Sequence, residues 1–476
     1  MKKIFLISFF LFIFFALLVK NYQIRNIAYL EWDEGMYAQI AKEIIKNKSL
    51  ITTFNDNLWF DKPPLSHFLI ALSFLIFGEN EFTSRAIMVI LSLILLFLFY
   101  KLNQKLTKKI FNNRKKHLAI ILPMIILIAT PIFLERATTL NSDLLVAISW
   151  LGYLTFFENS FARILFIVIG VWGKSVLGFY PLLYDFFLLI FKKQKLNFSY
   201  IKNTLTAIFL ASFWYIFLFI KYGYFFIENH FLSQMFKRIY VPIELHFGNK
   251  FFYFEVLWKN LYLLLIMITI SYLLIIFDFV KKIKEKSKNI DIYLVYLFPL
   301  PFFSFLTLMK TKIEWYVIIF LPFLLLPITY FLHRTKNKAF YFLIIFFIGF
   351  FSLKNFVQQT ILLKPPKETN EKVILAKCIS QINKKRVFFL VDEQERKNRN
   401  FLEAAHYQTT SSFFYGGTPS FVYYVKKPVT FFYSQKEFQQ NLNKNDVIYV
   451  INKNDKSIIN FDIKKIICQT KNWLSF

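Results

Sequence analysis

Thr83-Ser84-Arg85-Ala86-Ile87-Met88-Val89-Ile90-Leu91-Ser92-Leu93-Ile94-Leu95-Leu96-Phe97-Leu98-Phe99-Tyr100 decides the fold of this 476-residue chain. After Arg85 the stretch carries no charge, and it has the length of a bilayer-crossing helix, about 20 residues. The pattern repeats outward in both directions. Apolar runs of this kind occupy 4–20, 83–100, 118–134, 141–157, 161–173, 176–191, 204–221, 257–279, 291–309, 315–332 and 339–353, with 161–173 the shortest. They predict an α-helical polytopic membrane protein of about 11 transmembrane helices. The run Ile4–Val19 follows Lys2-Lys3 and resembles a signal peptide. No small-residue cleavage site precedes Lys20-Asn21-Tyr22-Gln23, so it reads as an uncleaved first span. Leu65–Phe77 is apolar but too short to cross, and reads as an interfacial or re-entrant helix.

The composition is 56% hydrophobic and 21% aromatic, and Phe (64) and Lys are abundant throughout. No single Phe or Lys therefore counts as functional without a positional reason. The net charge of +29 would suggest nucleic acid binding in a soluble protein, but topology explains it here. With the N-terminus cytoplasmic, the basic loops Lys101–Lys116, Lys192–Lys202, Lys281–Lys288 and His333–Lys338 all fall on the cytoplasmic side. The odd number of spans then sends the tail from Lys354 outward. The expected location is the bacterial inner membrane, with membrane lipids as partners and no nucleic acid.

Two domains follow: a transmembrane domain over 1–353, with long outside loops at 21–82 and 222–256, and a periplasmic α/β domain over 364–476. The tail turns polar after Leu363-Lys364-Pro365-Pro366. Strand-like runs appear at Arg386–Val391, Phe421–Val425, Val429–Tyr433 and Val447–Ile451, with helical stretches near Lys372–Ile382 and Lys436–Asn441. Phe413-Phe414-Tyr415-Gly416-Gly417-Thr418-Pro419 reads as a turn between strands. Cys378 and Cys468 form no CxxC, which argues against a zinc or iron–sulfur site. Outside the cytoplasm they are an open pair for a disulfide.

The first outside loop carries the most chemistry. Tyr29-Leu30-Glu31-Trp32-Asp33-Glu34-Gly35-Met36-Tyr37-Ala38 leads into an amphipathic helix with Met36, Ile40, Ile44 and Ile45 on one face. Such a helix lies in the interface and holds Asp33 and Glu34 at headgroup depth. The plainer account is that Asp33 only caps the helix. Downstream, Trp59-Phe60-Asp61-Lys62-Pro63-Pro64-Leu65 uses its prolines to hold Lys62 at the outer surface, where snorkelling is the plainer account. Arg85, Arg136, Lys174, Lys310 and Lys312 add outside cations that break the topological charge rule. Charges at membrane depth are costly and usually face a polar cavity, and such a ring suits an anionic lipid headgroup.

These residues also carry a resemblance. Trp32-Asp33-Glu34…Tyr37-Ala38, then Asp61-Lys62-Pro63-Pro64-Leu65, then Phe77-Gly78…Arg85 resemble, in order and spacing, the opening of the bacterial aminoarabinose–lipid A transferases and their dolichyl-phosphate-mannose-protein mannosyltransferase relatives. Asp143 resembles the acidic residue of that family's second outside loop. Gly173-Lys174-Ser175 is similar to its Thr-Lys-Gly element with altered flanks. Lys312…Tyr316…Pro322 and the loop Glu228-Asn229-His230-Phe231…Arg238…His246 resemble later segments, whereas the C-terminal tail is too diverged to match.

The resemblance implies a GT-C fold and a polyprenyl (undecaprenyl) phosphate sugar donor, with inversion at the anomeric carbon. It implies Asp33 as the base or acceptor-orienting group, Glu34 as its support and Asp143 as a second catalytic acid. Lys62, Arg85, Lys174, Lys312 and Tyr316 would bind the donor phosphate. No cofactor is assigned. A divalent metal stays open through Asp61, His230 and His246, a weak set because the histidines are far apart in sequence. The expected acceptor is lipid A or a related envelope glycolipid, with a protein O-glycosyltransferase as the alternative. A lipid transporter is a further alternative, but it would need polar groups deep in the bundle or inverted repeats.

Overall fold

The computed structural model describes residues 2–111, 117–192, 198–287, 290–362, 370–406, 417–442, 444–455 and 466–476. Parts of three expected basic loops (112–116, 193–197 and 288), the Leu363–Pro366 junction and Phe413–Gly416 of the expected turn lie outside them. Helix occupies every apolar run. Eight helices among the described residues are long and apolar enough to cross a membrane: Ile4–Gln23, Glu81–Lys109, Ser160–Phe179, Tyr200–Tyr222, Leu263–Lys284, Ile290–Leu308, Glu314–Arg334 and Lys338–Thr360. The shorter apolar helices Ala119–Ala129, Asp143–Thr155 and Leu182–Phe191 fill the remaining runs, and Leu65–Phe77 is short as expected. The chain is a multi-pass membrane protein with a small C-terminal sheet domain.

Several boundaries differ from the sequence reading: Glu81–Phe111 and Lys338–Thr360 run past the expected ends at 100 and 353, and the run 118–134 is broken at Thr130. The fifth run is not short: Ser160–Lys174 continues as a 3-10 turn to Phe179, and the sixth helix begins only at Leu182. Ser175, at φ 59°, bends the backbone without ending the segment. The run 257–279 is broken at Tyr262, at φ 48°, into Phe252–Leu261 and Leu263–Lys284.

The chain forms two compact units. The first comprises Met1–Gln23, Arg85–Lys221 and Gly248–Lys364. Its central helix is Val317–Arg334, buried along most of its length despite Pro322 and Pro327. Trp150 stacks on Tyr180 at 4.2 Å and meets Phe302 edge-on at 4.9 Å, which locks Asp143–Thr155 against its neighbours. Polar pairs add to the packing: Asn103 Nδ2 donates to Thr329 Oγ1 at 2.9 Å.

The second unit comprises Ile24–Ser84, Tyr222–Phe247 and Pro365–Phe476. A hairpin, β1 (Thr53–Phe54) with β2 (Asn57–Leu58), is pinned by Glu43, which accepts from Asn55 N–H at 2.7 Å. The C-terminal sheet contains β3 (Arg386–Leu390), β4 (Val429–Phe432), β5 (Val447–Asn452), β6 (Cys468–Gln469) and β7 (Trp473–Ser475), in the order β4-β3-β5-β7-β6. The first three are parallel, with Val387 opposite Val429 and Arg386 opposite Val447; β7 and β6 run antiparallel. The inner strand β3, between β4 and β5, is buried from Val387 onward, as a strand covered on both faces must be. Phe388, Phe432, Phe438 and Tyr449 pack on one face, and Phe389, Phe421 and Trp473 pack together elsewhere in the unit. A Cys378–Cys468 disulfide joins the helix Glu371–Ser380 to β6, with Cα atoms 6.2 Å apart.

Phe421–Val425, expected as a strand, is part of the helix Pro419–Val425. Its aromatic and β-branched residues favour strand, but Pro419 pre-sets the first helical turn and every residue of the segment is buried. Burial on all sides removes the alternation that marks a half-buried strand. The turn at Gly417, at φ 67°, therefore leads into a helix and not into a strand. The helix Glu393–Ala404 and the strands β6 and β7 also lie outside the expected elements.

Candidate functional site

In the second unit the chain folds back sharply before the helix Asp33–Asn47. Trp32 has φ 67°, which is strained for a residue with a β-carbon. Leu30 N–H donates to Glu34 Oε2 at 3.0 Å, and Gly35 N–H to the Leu30 carbonyl at 3.1 Å. Glu34, 1% exposed, thus shapes the turn that presents Asp33. Asp33 opens the first helical turn, where the exposed N–H groups favour a carboxylate. Lys62 Nζ donates to Asp33 Oδ1 at 3.1 Å and to the Tyr37 hydroxyl at 2.6 Å, and lies 4.9 Å from the Tyr37 ring centroid. The Asp33 and Lys62 side chains are 22% and 24% exposed, so the pair is held but reachable.

Other residues of this unit fix the pair. His230 Nδ1–H donates to the Phe60 carbonyl at 2.6 Å, two residues before Lys62. Phe60 is wedged against Tyr222 at 5.1 Å and Phe226 at 5.5 Å. His230 belongs to a π-helical stretch, Glu228–Phe236, and burial pushes it down to about 4, with its bond to Phe60 opposing. His67 meets Tyr37 edge-on at 4.7 Å, so the ring beneath Lys62 is itself supported. Arg238 donates to Glu244 Oε2 at 3.1 Å across a turn in which Glu244 has φ 56°. Burial lowers the pKa of His246, Glu244 opposes this, and Arg238 adds to it; Asp33 and Lys62 lie within electrostatic range of the imidazole.

Asp61, His230 and His246 do not assemble into a ligand set. Among the described residues no group of three or more His, Cys, Asp or Glu is arranged to hold a metal ion, and one His230 nitrogen is committed to Phe60.

The remaining expected residues lie in the first unit. Asp143, the first residue of its helix and 1% exposed, is paired with Lys174 Nζ. The ammonium of Lys174 also sits over the Tyr316 ring, 4.3 Å from its centroid. Asn141 braces the approach: its Nδ2 donates to the Arg136 carbonyl at 2.8 Å and its Oδ1 accepts from Leu144 N–H at 3.2 Å. The Arg136 guanidinium stacks over Trp315 at 4.4 Å. Arg85 is 1% exposed. Lys312 is buried and donates to the carbonyls of Leu306 and Thr307 at 2.9 and 2.8 Å, at the end of the helix Pro299–Leu308. Burial, with Lys310 nearby, lowers its pKa. Lys310 itself is exposed.

The architecture is the GT-C fold. ArnT from Cupriavidus metallidurans bound to undecaprenyl phosphate superposes with a TM-score of 0.69 at 12% identity, covering 98% of this chain and 97% of that one. Its apo form superposes at 0.70. No family model matches the chain. An uncharacterized protein of Aquifex aeolicus (strain VF5) is 26% identical over 306 residues, 60% of this chain and 56% of that protein. The undecaprenyl phosphate-alpha-4-amino-4-deoxy-L-arabinose arabinosyl transferase of Shewanella sediminis (strain HAW-EB3) is 44% identical over 55 residues, 11% of this chain and 10% of that transferase. The matches thus span about half the length of the first of these curated relatives and a tenth of the second.

Proposed function

We propose that this protein is an inner-membrane glycosyltransferase. It moves a sugar from a polyprenyl-phosphate donor to an extracytoplasmic acceptor, lipid A or a related envelope glycolipid. The observation that carries the reading is the reachable Asp33–Lys62–Tyr37 cluster at the head of the helix Asp33–Asn47. A fold shared over nearly the whole chain with a protein crystallised on undecaprenyl phosphate supports it. So does the disulfide, which suits an oxidising compartment outside the cytoplasm.

In the proposed reaction an acceptor oxygen attacks the anomeric carbon opposite the phosphate. The bond from that carbon to the phosphate oxygen breaks, and the lipid phosphate leaves with inverted configuration at the sugar. Asp33 takes the proton of a hydroxyl acceptor, or only orients a phosphate acceptor. Lys62 shares its ammonium donors between Asp33 and the departing phosphate, whose charge it stabilises. Glu34 holds the turn. In the first unit, Asp143 and Lys174 over Tyr316 form a buried charge pair of their own.

Purified protein in nanodiscs, given a polyprenyl-phosphate sugar, tests this. Asp33→Asn is expected to remain folded and to lose at least about 100-fold in transfer, while Lys62→Ala chiefly raises the donor concentration needed. Turnover by Asp33→Asn protein near the wild-type rate would refute the assignment. Mass spectrometry of envelope lipids and proteins, with and without the gene, identifies the acceptor, and sugar lost from protein alone would transfer the reading to protein O-glycosylation.

A further inference from the structure

Glu31 stands two residues before Asp33, and the proposed chemistry does not use it. Both of its carboxylate oxygens are engaged by the C-terminal α/β domain. Oε2 accepts the backbone N–H of Ser420 at 3.1 Å, and Oε1 accepts Asn370 Nδ2 at 2.9 Å. Asn370 cannot turn its amide over without loss, because its Oδ1 caps the helix Glu371–Ser380 through Lys372 N–H at 3.1 Å and Val373 N–H at 3.3 Å. Its NH₂ is thereby aimed at Glu31.

Ser420 also backs the other side of Asp33. A β-carbon on Gly35 would lie 2.6 Å from the Ser420 nitrogen, so the helix Asp33–Asn47 rests directly on that backbone. Residues 31 and 35 bracket Asp33, and both bear on Ser420. Between Glu31 and Asp33 the chain passes through Trp32 at φ 67°, a conformation that persists only where its surroundings over-determine it. The Met36 N–H to Trp32 carbonyl bond and the Lys62 ion pair hold the far side. Glu31 holds the near side. Tyr424, from the helix that carries Ser420, adds a second tie: its hydroxyl accepts Tyr29 N–H at 2.9 Å and donates to Glu81 Oε1 at 2.7 Å.

We propose that Glu31 is a positioning residue through which the C-terminal domain, by way of Asn370 and Ser420, sets the Asp33 carboxylate against Lys62. The proposal rests on the transferase reading above. It gives the sheet domain a part in the reaction: a rigid backing for the segment that bears the reacting carboxylate.

A side-chain swap tests it. Glu31→Gln replaces one acceptor oxygen by an NH₂ that faces the Asn370 NH₂. Asn370→Asp keeps an equally good helix cap but sets a carboxylate against Glu31. Each single variant is expected to lower kcat roughly 10- to 100-fold, since small misplacements of a reacting group are costly. Donor KM should stay within about twofold, because ground-state binding is untouched. The double variant restores the original net charge and a donor–acceptor pair, and should return kcat to within about threefold of wild type, the coupling expected of residues in contact. Unchanged kcat in both single variants, or a folded double variant without recovery, would overturn the proposal.

A second readout does not depend on turnover. Both native cysteines are in the disulfide, so Asp33→Cys introduces the sole free thiol. Its labelling rate by a charged methanethiosulfonate should change several-fold when Glu31→Gln is added. If that rate does not move, the positioning role fails whether or not sugar is transferred. If it moves in a protein whose wild type transfers no sugar, the transferase reading fails and the latch stands.

Discussion

Two acid–lysine pairs, one in each unit, are built alike and differ in what surrounds them. Asp33 and Asp143 each open a helix, and each is met by a lysine from a later segment. The side chains of Asp33 and Lys62 are 22% and 24% exposed, while those of Asp143 and Lys174 are 2% and 10% exposed. A partly exposed pair is already screened, so an arriving anion can take over one partner at small cost. A buried pair cannot release either member without leaving a bare charge in a poor solvent. The first pair is suited to exchanging partners during a reaction, and the second to holding a field in place.

The largest expected effect breaks the first pair. Asp33→Asn should lower transfer by about 10²- to 10⁴-fold, the range for a lost acid–base group. Its thermal stability should change by less than about 1 kcal/mol, because partly exposed ion pairs contribute little. The second pair should behave in the opposite way. Asp143→Asn leaves Lys174 uncompensated and is expected to cost about 3–5 kcal/mol of stability, visible as a lower melting temperature in detergent. Adding Lys174→Met should restore much of it. If Asp143→Asn melted like wild type yet lost turnover, the two pairs would share one role and the contrast would disappear.

A pH titration sharpens the contrast from the side of the accessible pair. His230, which holds Phe60 and so Lys62, is pushed from an ordinary 6.5 down to about 4 by burial. Because its folded pKa is depressed, the unfolded chain takes up a proton first as pH falls. The stabilisation is complete above pH 6.5 and is lost between there and about pH 4, in total roughly 3–4 kcal/mol. Denaturant melts at pH 7.5 and 5 should show this slope in wild type and a shallower one in His230→Gln. Equal slopes would mean that folding leaves the His230 pKa unchanged.

The accessible pair is legible in the sequence because its members lie on short motifs: Trp32-Asp33-Glu34 before an amphipathic run, and Asp61-Lys62-Pro63-Pro64 before an apolar one. The residues that hold the pair are not legible. Glu31 finds its partners at Asn370 and Ser420, and His230 finds its partner at Phe60, so their roles exist only after distant segments meet. The membrane runs stand out because a bilayer imposes length and apolarity on each segment separately. The breaks at Ser175 and Tyr262 do not, since residues with β-carbons at positive φ leave no compositional mark. Phe421–Val425 misleads for a related reason: burial on every side erases the period that separates helix from strand.

The smallest effect comes from making one substitution in both pairs. Lys62 meets Tyr37 through its hydroxyl, at 2.6 Å, as well as its ring, whereas Lys174 lies over the ring of Tyr316, 4.3 Å from the centroid. Tyr37→Phe keeps the ring and its attraction for the ammonium, and removes one hydrogen bond that orients Lys62 toward an incoming phosphate. Its net contribution is about 0.5–1.5 kcal/mol, so kcat/KM for the donor should fall roughly 3- to 10-fold. In the buried pair the same change leaves the ring face beneath Lys174 intact, and Tyr316→Phe should transfer sugar at the wild-type rate. A loss of similar size in Tyr316→Phe would mean that its hydroxyl reaches the donor phosphate directly. The buried pair would then take part in transfer and not only hold a fixed charge pattern in its own unit.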